Sequence, residues 1–206
     1  MNDTLLLLGG LKTTPLELAG FLLAIVTVWL NIYQNHWGWL FAIISSAIYA
    51  VVFYGAKLYG DMGLQFVFIV VSFWGWHQWL CGGVGSTVLQ VSKLARRGWR
   101  DSMIGWLLGF ALLAWFLRSF TDSDVPHIDG FLTAGSLLAQ LLMSRKKVEN
   151  WLIWIAVDIL YVGLYWYKSL YLTAGLYALF IFMAYAGLQM WKKSLPAAAS
   201  AAGTSN

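Results

Sequence analysis

The chain reads as an all-α membrane protein: seven transmembrane helices, arranged as two parallel three-helix repeats joined by a linker helix (3+1+3). Three observations lead there. Hydrophobic residues make up 60% of the 206 residues and charged residues 11%, where a soluble domain needs roughly 25% charged to cover its surface. Seven apolar runs follow one another, each bounded by charge or by helix punctuation. The chain also repeats itself when slid by 112 residues.

Residues 1–14 form a short N-terminal segment, expected at the membrane interface. Asp3 stands where a signal peptide carries basic residues, and Leu5 to Leu8 is too short for its apolar core. The first span covers 15–33, opened by Thr14 as a cap and Pro15 at the first helical position. The second covers 37–55 and the third 61–82, ended by Gly82 and Gly83. With their loop, these spans make a first repeat over 15–100. The fourth span, 101–119, is led by Asp101 and belongs to a linker over 101–128, in which Gly105 and Gly109 suit close helix packing. The fifth span, 129–144, is short for a bilayer about 30 Å thick. The sixth, 150–167, and the seventh, 170–191, complete a second repeat over 129–193. Residues 194–206 are a small-residue tail expected to be disordered.

Seven spans place successive connections on alternate sides. One side receives Lys93, Arg96, Arg97, Arg100, Arg145, Lys146, Lys147, Lys192 and Lys193; the other receives Lys12, Lys57, Arg118 and Lys168. The positive-inside rule then predicts a cytoplasmic C-terminus and an outside N-terminus. The net charge of +4 does not imply nucleic acid, because the basic residues sit in short loops between apolar runs. Membrane lipid is the expected macroscopic partner, and a homo-oligomer is compatible with the chain. The single Cys81 excludes an intrachain disulfide and any multi-cysteine metal site, and no cofactor motif occurs.

The 112-residue shift lays Trp39-Leu40 on Trp151-Leu152, Tyr49 on Tyr161, Leu58-Tyr59 on Leu170-Tyr171, Gly75 on Gly187 and Trp79 on Trp191. Spans one to three thus correspond to five to seven, and span four restores the direction of the second triplet. Transporters built this way bind substrate near the bilayer midplane between the triplets. The repeat breaks at polar positions: Asp158 falls opposite Ser46, Trp154 opposite Ala42, Asn150 opposite Gly38, Gln65 opposite Tyr177, Trp76 opposite Leu188 and Gln78 opposite Met190. Equal scaffolds with different side chains suit an asymmetric ligand.

Asp158 is the most informative break. It lies mid-span in an uncharged run, where an ionised group costs about 3 kcal/mol on insertion scales and so faces a cavity or a partner. Asn150, Trp154, Asp158, Tyr161 and Tyr165 recur at steps of three and four on one helix face, and Gln65, Ser72, Trp76 and Trp79 share a face of span three. Plainer readings stand beside these. Trp37, Trp39, Trp79 and Trp191 suit interfacial aromatic belts. His77 suits an interface, Asn150 suits a helix cap, and Asp158 suits a tether to another helix.

The layout resembles that of the SWEET sugar transporters. More specifically, Phe73-Trp74-Gly75-Trp76-His77-Gln78-Trp79 on span three, with Asn150-Trp151-x-x-Trp154-x-x-x-Asp158-x-x-Tyr161 on span six, resembles the PnuC family of bacterial nicotinamide riboside transporters. The resemblance covers roughly 14–193. It implies facilitated uptake of a vitamin B3 nucleoside through the bacterial inner membrane, with intracellular phosphorylation preventing its escape. The residues agree with a flat cation bearing an amide and a ribose. Aromatic faces and a carboxylate suit the ring, and donors and acceptors such as Gln65, Ser72 and Asn150 suit the amide and hydroxyls. The expected substrate-binding set is Gln65, Ser72, Trp76, Gln78, Trp79, Asn150, Trp154, Asp158 and Tyr161. The competing classes are a proton-coupled transporter of another nucleoside or cationic vitamin, in which Asp158 carries the proton, and a sugar transporter. An intramembrane enzyme is disfavoured, since neither HExxH nor GxSxG occurs and His36, His77 and His127 sit near span ends.

Overall fold

Apolar runs without internal proline satisfy their own backbone most simply as helices, and the only prolines ahead of the tail, Pro15 and Pro126, stand where helices begin. The computed structural model of the chain describes residues 5–7, 11–13, 15–55, 59–83, 88–121, 125–167 and 171–195. Within them lie α1 (Pro15–Ile32), α2 (Trp37–Gly55), α3 (Tyr59–Cys81), α4 (Arg96–Phe120), α5 (Pro126–Ser144), α6 (Asn150–Tyr167) and α7 (Tyr171–Lys193). Ahead of them, β1 (Leu5–Leu7) and β2 (Leu11–Thr13) pair as an antiparallel hairpin, where the sequence suggests only an interfacial segment. The expected cap Thr14 and the tail from 196 onward lie outside the described residues. Charge proves a poor marker of helix ends. Arginine is a good helix former, so α4 runs back through Arg100 and Arg97 to Arg96 rather than starting at 101. The helix α5 likewise starts at Pro126 rather than 129.

The repeat is visible in the helix bounds. Adding 112 to α1, α2 and α3 gives 127–144, 149–167 and 171–193, against 126–144, 150–167 and 171–193 for α5, α6 and α7. The connecting turns match as well. After α1, Gln34 takes a left-handed φ of 55°, with Gln34 N–H donating to Asn31 O and Asn35 N–H to Leu30 O; after α5, Lys146 has φ 48°, with Lys146 N–H donating to Met143 O and Lys147 N–H to Leu142 O. Both are Schellman closures, here built on non-glycine residues.

The C-terminal ends of α1, α3, α5 and α7 share one end of the bundle, which makes the repeats parallel. There Trp79 Nε1 of α3 donates to Met143 O of α5 at 3.0 Å, and Trp191 Nε1 of α7 donates to Asn31 O of α1 at 3.1 Å. The 112-residue shift exchanges these two bonds. Trp39 meets Trp79 edge to face at 5.4 Å, Trp151 meets Trp191 likewise at 5.4 Å, and Trp79 meets Trp191 at 5.9 Å. The four indoles form the centre of the main core. Trp39, Trp79 and Trp191 are therefore not belt residues: they are at most 2% exposed, while Trp37, at 49%, fits a belt. Glycine makes the quartet fit. A Cβ on Gly75 would lie 2.6 Å from the Trp39 ring, and one on Gly187 would lie 2.6 Å from Trp151.

The linker α4 packs on α5. Trp106 stacks on Phe131 at 4.9 Å and donates to its carbonyl at 3.0 Å. Close approach is set by Gly130, whose Cβ would stand 2.8 Å from Ala114 N. Of the two glycines expected to do this, Gly109 faces Ala134 and Gly105 faces open space. Polarity is inverted relative to a soluble protein: Val70, Leu108 and Phe182 are about two-thirds or more exposed, while Asn31, Ser72, Asn150 and Asp158 are buried. Such an exterior matches lipid, and Arg96–Phe120 and Ala174–Lys193 are each long and apolar enough to cross it.

Gly75→Ala and Gly187→Ala should each lower the thermal midpoint in detergent, overpacking being worth about 1–3 kcal/mol. Gly63→Ala and Gly175→Ala, where a Cβ meets nothing within 4 Å, should leave it unchanged or raise it. Equal effects at all four positions would contradict the packing described.

Candidate functional site

The helices α3 and α6 carry the polar residues buried among these aromatics. Ser72 is buried two turns before Trp79 on α3, and Asn150 and Asp158 are buried on α6. Trp76, Trp79 and Trp154 all belong to the cluster built around the tryptophan quartet, and Trp154 also reaches the second core cluster together with Tyr161. The structure thus brings Trp76, Trp79, Trp154 and, through Trp154, Tyr161 into one continuous environment. Trp76 is in turn 5.8 Å from Trp37.

Several polar atoms in this region are buried without a protein hydrogen-bond partner: Ser72 Oγ, Trp76 Nε1, Asn150 Oδ1, and the Nε1 atoms of Trp39 and Trp151. Each such group left alone costs about 1–3 kcal/mol, so native structures rarely keep a cluster of them without a use. Such unpartnered donors and acceptors on α2, α3 and α6 are groups that a polar ligand could engage.

Asp158 stands about 12 Å along α6 from Asn150, near the helix middle. It is 3% exposed, and the single ion pair among the described residues, Arg100–Asp101, lies elsewhere. A tether to a basic side chain is therefore not what buries it. Tyr177 of α7 lies within electrostatic reach of the carboxyl. Tyr177 packs against Tyr161 at 4.7 Å and Tyr165 at 5.2 Å, and the Tyr161 hydroxyl is hydrogen-bonded with Ser136 and Thr133 of α5. A carboxyl within reach of Tyr177, whose ring packs with those of Tyr161 and Tyr165, is an environment for a cation.

Two expected residues are not part of this grouping. Gln78 folds its Oε1 against Gly82 at the end of α3, and Gln65 lies about 10 Å before Ser72 with no hydrogen bond to the others. Asn150 is not a simple cap: its Nδ2 donates back to Lys147 O at 2.6 Å, while its Oδ1 remains free. His77 is exposed, as an interfacial residue would be. No group of His, Cys, Asp or Glu able to hold a metal occurs among the described residues.

Two buried residues escaped the sequence reading. Asn31, 3% exposed, donates its Nδ2 to Met143 Sδ at 3.2 Å, and these two are partners under the 112-residue shift. Lys146, 4% exposed, places Nζ 4.7 Å above the Trp79 ring, and burial pulls its ammonium from 10.5 down to about 8. Both could have been found by asking which polar residues flank the matched Trp39 and Trp151.

Comparison with known proteins agrees with the architecture. The profile of the family described as nicotinamide mononucleotide transporter matches residues 14–193. The riboflavin/roseoflavin transporter RibM of Streptomyces davaonensis is 28% identical over 85% of this chain and 81% of its own. The nicotinamide riboside transporter PnuC of Escherichia coli is 22% identical over 90% of this chain and 88% of its own. The crystal structure of the vitamin B3 transporter PnuC superposes with a TM-score of 0.69 and 29% identity, covering 86% of this chain and 80% of that one.

A lysine held below its ordinary value binds a proton more readily when unfolded, so its contribution to stability rises with pH between about 8 and 10.5. Thermal midpoints recorded across that window should climb more steeply for the parent than for Lys146→Met. Parallel curves would show that the buried ammonium is not the group responsible.

Proposed function

The chain belongs to the nicotinamide mononucleotide transporter family, a family of membrane transporters, and we propose that this member carries nicotinamide riboside across the bacterial inner membrane by facilitated diffusion. In this reading the substrate binds between the two repeats near the bilayer midplane, and the arginine- and lysine-rich end faces the cytoplasm. The observation that carries the assignment is Asp158, a buried carboxyl in mid-helix with no basic partner among the described residues. Nicotinamide riboside is a fixed pyridinium cation. Its ring meets the carboxylate and the Tyr161, Tyr165 and Tyr177 faces, a desolvated cation–π contact contributing about 2 kcal/mol. Its amide and ribose take up Ser72 Oγ, Trp76 Nε1 and Asn150 Oδ1, the polar atoms that lack protein partners.

The likeness to a riboflavin transporter supports a second reading, in which the flat ligand is a flavin. An uncharged isoalloxazine has no use for Asp158, and on that ground the pyridinium nucleoside is preferred. The site offers no nucleotide-binding motif to supply energy, and substrate trapped by phosphorylation inside the cell needs none.

Calorimetry on the detergent-solubilised protein should show nicotinamide riboside binding with a substantially lower Kd than nicotinamide, and tighter than riboflavin, thiamine or hexoses. Tighter binding of riboflavin would transfer the assignment to the flavin. Asp158→Asn should weaken nicotinamide riboside binding about ten- to a hundred-fold in a monodisperse protein, as loss of a hydrogen bond to a charged group does. Trp154→Ala should weaken it as well. Unchanged affinity with a lowered melting temperature in Asp158→Asn would make the carboxyl structural.

In vesicles, labelled substrate should equilibrate without ATP or an ion gradient. Accumulation driven by an acid-outside gradient would establish proton coupling instead.

A further inference from the structure

Among the described residues, hydrogen bonds that join the two repeats cluster at the basic end. Trp79 Nε1 donates to Met143 O, Trp191 Nε1 to Asn31 O and Ile32 O, Asn31 Nδ2 to Met143 Sδ, and Gln34 Nε2 to Ser194 Oγ just beyond α7. Two of the contacts, Trp79 with Trp191 and Asn31 with Met143, join residues that the 112-residue shift exchanges, so both sit on the pseudo-two-fold axis. The carbonyls that accept from the indoles belong to the last turns of α1 and α5, where Asn31 O and Met143 O also accept from the turn N–H groups of Gln34 and Lys146, so each indole supplies a second bond. Each repeat thus adds a second donor to a helix-end carbonyl of the other, and it does so across the line along which two rocking repeats must part.

We propose that Trp79 and Trp191 form the latch of the pathway at the basic end: the structure is shut there, and the two reciprocal indole–carbonyl bonds must break for substrate to leave on that side. Lys146 reinforces one half only. Its ammonium covers the Trp79 ring, whereas its repeat partner Gln34 is neutral and bonds Ser194. The edge-to-face contacts with Trp39 and Trp151 stay within single repeats, so each indole moves with its own repeat when the latch opens. The assignment rests on the chain being a transporter and is independent of which vitamin it carries.

The test follows a buried thiol. Cys81, which is free and exposed, is replaced by Cys81→Ser, and Ser72→Cys places a probe two turns inside the latch, at a position 1% exposed. The full chain is reconstituted in sealed vesicles of each orientation and treated with a membrane-impermeant maleimide. Adding Trp79→Phe and Trp191→Phe removes both donors and keeps an aromatic ring at each position. Labelling from the basic face should then quicken at least about tenfold, each single variant should fall between, and labelling from the opposite face should not rise. An unchanged rate from the basic face in correctly folded variants would overturn the latch, as would an equal rise from both faces. If the double variant aggregates, the two single variants decide in the same way. No substrate is added, so a wrong vitamin shows in the binding titrations and a wrong latch shows here.

Discussion

The pair of indole–carbonyl bonds between the repeats is the constraint from which the rest of the bundle follows. Lipid offers no hydrophobic drive to bring one apolar helix against another, so membrane helices associate through close packing and hydrogen bonds. Here the bonds come from Trp79 and Trp191, and they add a second donor to the Met143 and Asn31 carbonyls that the closing turns of α5 and α1 already engage. Indoles at those positions need space from their neighbours. The two further tryptophans Trp39 and Trp151 stand edge-on to them, and Gly75 and Gly187 supply the faces against which those rings lie. The quartet and its two glycines are one solution used twice.

The two uses differ at polar positions, and the proposed site is built from those differences. The first repeat holds Asn31 against Gly38, and the second holds Met143 where Asn31 would be and Asn150 where Gly38 would be. A buried carboxamide has thus moved from the first helix of one triplet to the second helix of the other. Asp158 replaces Ser46, and Tyr177 replaces Gln65, so the carboxyl and its aromatic neighbour both belong to the second repeat. The first repeat contributes Ser72 and Trp76, whose partners under the shift are Ala184 and Leu188. Under the proposed binding between the repeats, a ligand would meet a charged, aromatic wall on one side and neutral donors on the other, as a cationic ring joined to a sugar requires.

Much of this was legible in the chain. Apolar length and punctuation placed the helices, because a buried backbone has few other options. The matched tryptophans and glycines announced the repeat, because identical packing needs identical volumes. Burial of individual tryptophans was not legible: Trp39 and Trp37 are two residues apart at the start of α2, yet one is fully buried and the other half exposed. Belt and core ask for the same residue type, and only the direction of the helix face separates them. Lys146 looked like one more loop cation because its burial depends on a left-handed turn and on Trp79, far away in sequence. Gln65 and Gln78 shared a helix with the site, but sharing a helix says nothing of where a long side chain folds.

The central claim is that Asp158 makes this a site for a positively charged ring. The most direct measurement is a pair of calorimetric titrations with nicotinamide riboside and with its reduced dihydropyridine form, which has nearly the same shape and no ring charge, on the parent and on Asp158→Asn. The charged form should bind the parent about ten- to a hundred-fold more tightly than the neutral one, and that preference should disappear in the variant. Equal binding of the two forms by the parent, or a preference that survives the loss of the carboxylate, would contradict the account.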